Sequence, residues 1–197
     1  LDTISLKKDG NILLSPISIH IKQGEKIAII GESGSGKTTL LNIVHEEETP
    51  TSGQISFAGQ NLSRQEITSI SSYILQDSHY FDTLSLEENI LLGLDKKEDR
   101  LNHVLKTTGL EHLKNRTLSN DSLSGGEKQR LEIARALYHD SQLILADEIK
   151  ANLDLENSIK ISDLLFSLPQ TVIEVIHHYT EEDLKHYDQV IHLSREK

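Results

Sequence analysis

Nine consecutive residues, Gly31, Glu32, Ser33, Gly34, Ser35, Gly36, Lys37, Thr38 and Thr39, have the types and spacing needed to hold phosphate. The spacing Gly31-x-x-x-x-Gly36-Lys37-Thr38 is that of a phosphate-binding loop. Glycines let the backbone curl so that successive N–H groups point inward at phosphate oxygens. The start of a following helix adds its positive end. Lys37 can reach β- and γ-phosphates, and Thr38 can offer its hydroxyl to Mg²⁺. The competing reading is a flexible glycine–serine loop. The apolar run Lys26 to Ile30 before the loop and the spacing of Leu40, Leu41 and Val44 after it favour strand, loop and helix instead.

A second group of residues follows at the end of "LILADE", Leu143 to Glu148, an apolar strand closing on two adjacent carboxylates. Asp147 suits Mg²⁺ held beside a triphosphate, and Glu148 is then left to polarise a water. An acidic pair capping the sheet is the bland alternative. A third group, Ser124, Gly125 and Gly126 in "LSGGEKQR", precedes an amphipathic stretch and makes a second helix start able to face an anion. It also reads as an ordinary N-capped helix. One phosphate chain does not need two such starts. Either one is idle, or each faces a nucleotide held mainly by another chain.

These groups need a scaffold, and the sequence indicates one. Strand character is expected in Ile12 to Ile21, interrupted by Pro16, then in Lys26 to Ile30, Gln54 to Gly59, Ser72 to Gln76, Leu143 to Glu148, Thr171 to Ile176 and Gln189 to Leu193. Helical spacing is expected in Lys37 to Glu47, from about Ser85 to Asn115, and from a turn at Ser122 on to Asp140. Strands alternating with helices argue an α/β fold with a parallel sheet covered on both faces.

Bulk composition narrows the partners. The net charge of −11 and the scatter of the basic residues along the chain disfavour a nucleic-acid partner, and none is expected. There is no cysteine, which excludes disulfides, thiolate metal sites and a thiol nucleophile and fits a reducing compartment. No segment approaches the ~18 apolar residues that cross a bilayer. Leu1 at the start and the lack of methionine are expected either of a segment cut from a longer polypeptide or of a chain whose modified methionines are not written out.

With these residues in view, "LSGGEKQRLEIARAL" resembles the signature motif of ATP-binding cassette (ABC) ATPases. It lies between the phosphate loop and "LILADE", the two Walker elements of that family. Gln76 in "YILQD" is similar to the family's Q-loop glutamine, "ANLD" (Ala151 to Asp154) to its D-loop, and His177 in "EVIHHY" to its switch histidine. The resemblance covers nearly the whole chain. It implies a nucleotide-triphosphatase core with a mostly parallel sheet, an N-terminal antiparallel β-subdomain and a helical signature subdomain. The expected division is a single domain over 1–197, with 1–76 and 141–197 as the core and 77–140 as the helical part.

The resemblance also implies roles. ATP sits on residues 31 to 39, and Ser124, Gly125 and Gly126 of a second cassette close over it, with Asp154 at the same interface. Thr38, Asp147 and Gln76 hold Mg²⁺. Glu148 acts as base or orients the attacking water, and His177 contacts the γ-phosphate. The output is opening and closing of the pair, passed through the Gln76 region to transmembrane transporter domains at the cytoplasmic face of a membrane. "YFDTLSLEENILLG" (Tyr80 to Gly93) resembles the exporter-type stretch after the Q-loop. The rivals are a soluble cassette of DNA repair or translation, whose long insertions do not fit in 197 residues, and a hydrolysis-deficient half of an asymmetric pair. A small GTPase is disfavoured, since no "NKxD"-like motif is present.

Three positions and one short stretch depart from the family pattern. Ile149 stands where proline usually follows the catalytic glutamate, and Ala146 replaces a larger apolar residue. Glu127 stands where many exporters have glutamine. No aromatic residue occupies Leu6 to Lys8 to stack on adenine, which leaves selectivity for ATP over GTP open.

Overall fold

The computed structural model describes residues 1–118 and 123–194; Ser122, the expected head of the signature turn, lies outside them. In chain order the elements are β1 (Asp2–Lys8), β2 (Asn11–Ile17), β3 (Lys26–Gly31), α1 (Lys37–Val44), β4 (Ser52–Gln54), α2 (Arg64–Ile70), β5 (Ser71–Ile74) and α3 (Leu86–Leu91). Then follow α4 (Glu98–Thr108), a 3-10 turn (Glu111–Leu113), α5 (Gly125–Tyr138), β6 (Leu143–Asp147), α6 (Leu155–Ser167), β7 (Thr171–Val175), α7 (Glu181–Leu184) and β8 (Gln189–Leu193).

The chain forms two compact units. The first comprises Leu1–Tyr73, Gln142–Glu148 and the segment from Gln170 onward. Its main sheet has the order β5-β6-β7-β3-β8. The pairs β3–β7, β3–β8 and β6–β7 are parallel. A three-stranded sheet of order β2-β1-β4 is antiparallel. β2 is an edge strand, which is why Pro16 sits inside it without breaking a ladder on both sides. β3, β6 and β7 read as mainly apolar runs, interrupted in β7 by the buried Glu174, because they are buried on both faces.

The parallel arrangement has a functional consequence. All the strands that carry candidate residues end on one side of the sheet, so Gly31, Asp147 and Val175 close three neighbouring strands together. Helix α1 leaves that end with Leu40, Leu41, Ile43 and Val44 buried against Ile27, Ile29, Leu145 and Val175. Leu41 is fully buried in this cluster. Leu41→Ala is expected to cost about 2–5 kcal/mol, read from the urea midpoint at unchanged slope. A loss below about 1 kcal/mol would mean that this core closes over the gap or is not packed as described.

The second unit comprises Ile74–Ser141 and Ile149–Pro169. Its core is Leu86, Ile90, Leu101, Val104, Leu105, Leu110, Leu113, Leu118, Leu123, Leu131, Ala134 and Tyr138. Fully buried Asn89 organises the loop before α3: its Oδ1 accepts from Phe81 N, and its Nδ2 donates to Phe81 O. Arg135 of α5 donates to Asn89 O and to His79 O, fixing the same loop from the other side.

Two local expectations are corrected. The strand expected over Gln54 to Gly59 is Ser52–Gln54, and the later residues keep only a bridge between Phe57 and Gln60. Ala58 and Gly59 both have positive φ, which turns the chain there. Helix α2 was not anticipated. It is announced by a capping box in which Ser63 accepts from Glu66 N and Glu66 accepts from Ser63 N. Among the described residues no helix is long and apolar enough to cross a membrane.

Candidate functional site

In the first unit the phosphate-type loop runs from the end of β3 to the start of α1. Gly31 has φ +152°, and a Cβ there would meet Leu193 O at 2.2 Å and Ser35 Oγ at 2.8 Å. Gly36 has φ +93° as the N-cap of α1, and its Cβ would meet Leu13 O at 2.5 Å. Both positions therefore exclude side chains for two reasons, backbone conformation and space. The Lys37 ammonium donates to Gly31 O at 2.8 Å and Glu32 O at 3.0 Å. The side chain is thus folded back along the loop, with its charge held where an anion on the loop would lie. Lys37 and Ser35 are both buried, and Ser35 Oγ has no hydrogen-bond partner among the described residues. Glu32, Ser33 and Gly34 are exposed along the loop rim, and Thr38 and Thr39 open the helix.

Asp147 ends β6 and is 8% exposed. Its Oδ2 accepts from the Tyr73 hydroxyl at 3.4 Å, and its Oδ1 has no hydrogen-bond partner among the described residues. A buried carboxylate oxygen left without a donor is costly unless something positive meets it. Carboxylate and hydroxyl oxygens are also the ligand types that a hard divalent cation takes. Asp147 and Thr38 therefore fit Mg²⁺ on the chemistry of their donors. Burial, then the Asp147 charge and hydrogen bond, push the Tyr73 phenol well above its ordinary pKa, so it stays a neutral donor.

One residue on, Glu148 takes the left-handed conformation, φ +53°. A non-glycine residue there carries strain, and such strain gathers at functional positions. Its backbone N–H is held by Val175 O, and its Oε1 lies 2.8 Å from His177 Nε2. Both side chains are about one-third exposed or less, at 27% and 32%. Of the two adjacent histidines, His177 is the one that meets Glu148. Strand β7 ends at Val175, so both histidines lie beyond it.

The second unit holds Gln76, the signature and the D-loop stretch. Gln76 is exposed, and its carbonyl accepts from Gln129 Nε2 at 2.9 Å. Ser124 is the N-cap of α5: its Oγ accepts from Glu127 N, and Glu127 Oε2 accepts from Ser124 N at 2.8 Å. Burial alone would raise the Glu127 carboxyl, but the bonds from Ser124 and His112 bring it below the usual range. Glutamate and glutamine serve equally in such a box, so Glu127 is a tolerated departure. A Cβ on Gly126 would strike Asn157 Oδ1 at 2.5 Å, and one on Gly125 would press on Leu153. Asn157 in turn donates through N and Nδ2 to the two carboxylate oxygens of Asp154. The signature glycines and the D-loop carboxylate are thus joined through Asn157.

The structure brings the candidate residues into two groups, residues 31–39 with Asp147, Glu148 and His177 in one unit, and Gln76 with Ser124, Gly125, Gly126 and Asp154 in the other. Sequence reasoning missed Tyr73, Asn42 and Asn157. Asn157 follows the cap residue Asp154 by three, a spacing that could have flagged it. Leu6 is buried and Lys7 and Lys8 are exposed on β1, so that strand offers no ring to a base.

The chain is 38% identical to YxdL of Bacillus subtilis, an ABC transporter ATP-binding protein, over 79% of this chain and 65% of YxdL. It is 33% identical to LcnC of Lactococcus lactis, a lactococcin-A transport/processing ATP-binding protein, over 90% of this chain and 27% of LcnC. It is 33% identical to PotA of Mycoplasma mycoides, a spermidine/putrescine import ATP-binding protein, over 97% of this chain and 57% of PotA. The chain spans less than two thirds of the length of each of these relatives. Among solved structures, cbiO1 from Clostridium perfringens, part of the ABC transporter complex cbiONQ, superposes with a TM-score of 0.80 at 28% identity. That match covers 90% of this chain and 77% of cbiO1. The family model described as ABC transporter matches residues 14–151, well over half of the 197 residues, and the chain belongs to that family.

Proposed function

We propose that this chain is an ATP-binding and ATP-hydrolysing cassette that powers transport across a membrane by pairing with a second cassette. The contact of Glu148 with His177, in the unit that holds the phosphate loop, carries this reading. It unites a carboxylate able to accept a proton from water with a donor able to touch the γ-phosphate. Residues 31 to 39 cradle the triphosphate, with Lys37 turning from the loop carbonyls to the phosphates. Thr38, Asp147 and Gln76 would hold Mg²⁺, which when bound with ATP neutralises charge on the β- and γ-phosphates. Phosphoryl transfer asks mainly for positioning and charge stabilisation, and these residues supply both.

The signature supports pairing. Ser124, Gly125 and Gly126 form a second anion-facing helix start, and a head-to-tail pair gives each such start a nucleotide held by the other chain. Asp154 stands beside it through Asn157. Transmembrane transporter domains are the other partner, reached through the Gln76 region at the cytoplasmic face. The stretch Tyr80 to Gly93 and the likeness to LcnC support an exporter-type cassette, while PotA is an import protein. The expected division into a core of 1–76 and 141–197 and a helical part of 77–140 remains our reading of the domain.

The test is ATP turnover with Mg²⁺ against protein concentration, with sizing in a non-hydrolysable ATP analogue. Turnover per molecule should rise with concentration, and the analogue should shift the protein from monomer to dimer. Turnover strictly proportional to protein, on a species that stays monomeric with bound analogue, would overturn the paired mechanism.

A further inference from the structure

The geometry points to Tyr73 as a positioning residue that sets the separation between the two metal-holding groups Thr38 and Asp147. This inference rests on the nucleotide-binding reading above. The Tyr73 hydroxyl lies 2.9 Å from Asn42 Oδ1 and 3.4 Å from Asp147 Oδ2. Asn42 is four residues after Thr38 on α1, so the two side chains share one face of that helix. Tyr73 stands on β5, the neighbour of β6 in the sheet. The single hydroxyl proton is shared between these two acceptor oxygens, with the shorter contact to Asn42, so one hydroxyl stands between the helix that presents Thr38 and the strand that presents Asp147.

The arrangement also decides which carboxylate oxygen is left for a cation. Tyr73 engages Oδ2, while the buried Oδ1 has no partner among the described residues. The tyrosine ring is itself held: the His45 ring meets it edge-on at 5.5 Å, and His45 Nδ1 lies 3.1 Å from Ser71 Oγ on the same strand. A hydrogen bond to a ligating carboxylate fixes its orientation, and losing such a bond commonly weakens metal affinity by about 10-fold or more.

The test is Tyr73→Phe, which keeps the ring and its edge contact with His45 and removes only the hydroxyl. Affinity for a non-hydrolysable ATP analogue is measured with Mg²⁺ and again in a chelator, and Mn²⁺ occupancy is read by electron paramagnetic resonance. We expect affinity with Mg²⁺ to fall by about 10-fold and Mn²⁺ binding to weaken in parallel, while metal-free nucleotide affinity stays near wild type. Equal weakening with and without metal would mean that Tyr73 only supports the fold, and unchanged Mn²⁺ occupancy would overturn the inference outright. Wild-type protein that binds no nucleotide under either condition would instead overturn the nucleotide-binding reading, and this inference with it.

Discussion

Glu148→Gln is expected to lower ATP turnover by about 10²- to 10⁴-fold, the usual contribution of a positioned general base. The substitution isolates proton acceptance from everything else at this position. The amide has the size of the acid, and its oxygen can still accept from His177 Nε2, now 2.8 Å from Glu148 Oε1. Both residues meet the same left-handed strain at φ +53°, so the backbone cost cancels between wild type and variant. Nucleotide affinity should therefore stay within a few-fold, and on the paired reading proposed above a dimer formed in Mg²⁺–ATP should persist, because its nucleotide is no longer consumed. His177→Ala should also reduce turnover, and the double variant should be little worse than the worse single one, since groups that act as a unit are non-additive. Turnover of Glu148→Gln within about threefold of wild type would remove Glu148 from the base role.

The parts of the site that were legible in the sequence are those where backbone demands fix residue type. The glycine loop is one: Gly31 and Gly36 stand at positive φ against backbone carbonyls, and only glycine fits there. The buried strands β3, β6 and β7 were visible as apolar runs. The contacts that tune the site were not legible, because they join residues far apart in sequence by side chains of unremarkable type. Tyr73 and Asp147 are 74 positions apart and meet because β5 and β6 are neighbours in a sheet whose order cannot be read from local pattern. Strand β4 was misplaced because the apolar alternation of Ile55 and Phe57 outweighed the positive φ of Ala58 and Gly59, which no propensity scale anticipates for alanine. Helix α2 was missed although Ser63 and Glu66 have capping-box spacing, since its seven residues bury only Ile67 and leave no periodic apolar face.

Gly36→Ala is expected to destabilise the protein by roughly 2–5 kcal/mol, combining left-handed backbone strain with a steric collision. The two contributions can be separated within the same loop. Gly34 also has positive φ, +76°, but a Cβ there meets nothing within 4 Å. Gly34→Ala should thus carry the strain alone, about 1–2 kcal/mol. At Gly36 the Cβ would lie 2.5 Å from Leu13 O and 3.2 Å from Leu14 Cδ1. A backbone carbonyl in β2 cannot swing aside as the end of a long side chain can, so relief requires moving the β2 strand or the start of α1. Moving α1 disturbs the bond from Leu40 N to Gly36 O and the buried positions of Leu40 and Leu41, and displaces Lys37 and Thr38 from the phosphate site. Gly36→Ala should consequently lose nucleotide affinity more steeply than Gly34→Ala, in the same order as the urea midpoints. Equal midpoints for the two variants would show that β2 yields at Leu13 without cost, and that conformation alone, not the close approach of β2, demands glycine at the head of α1.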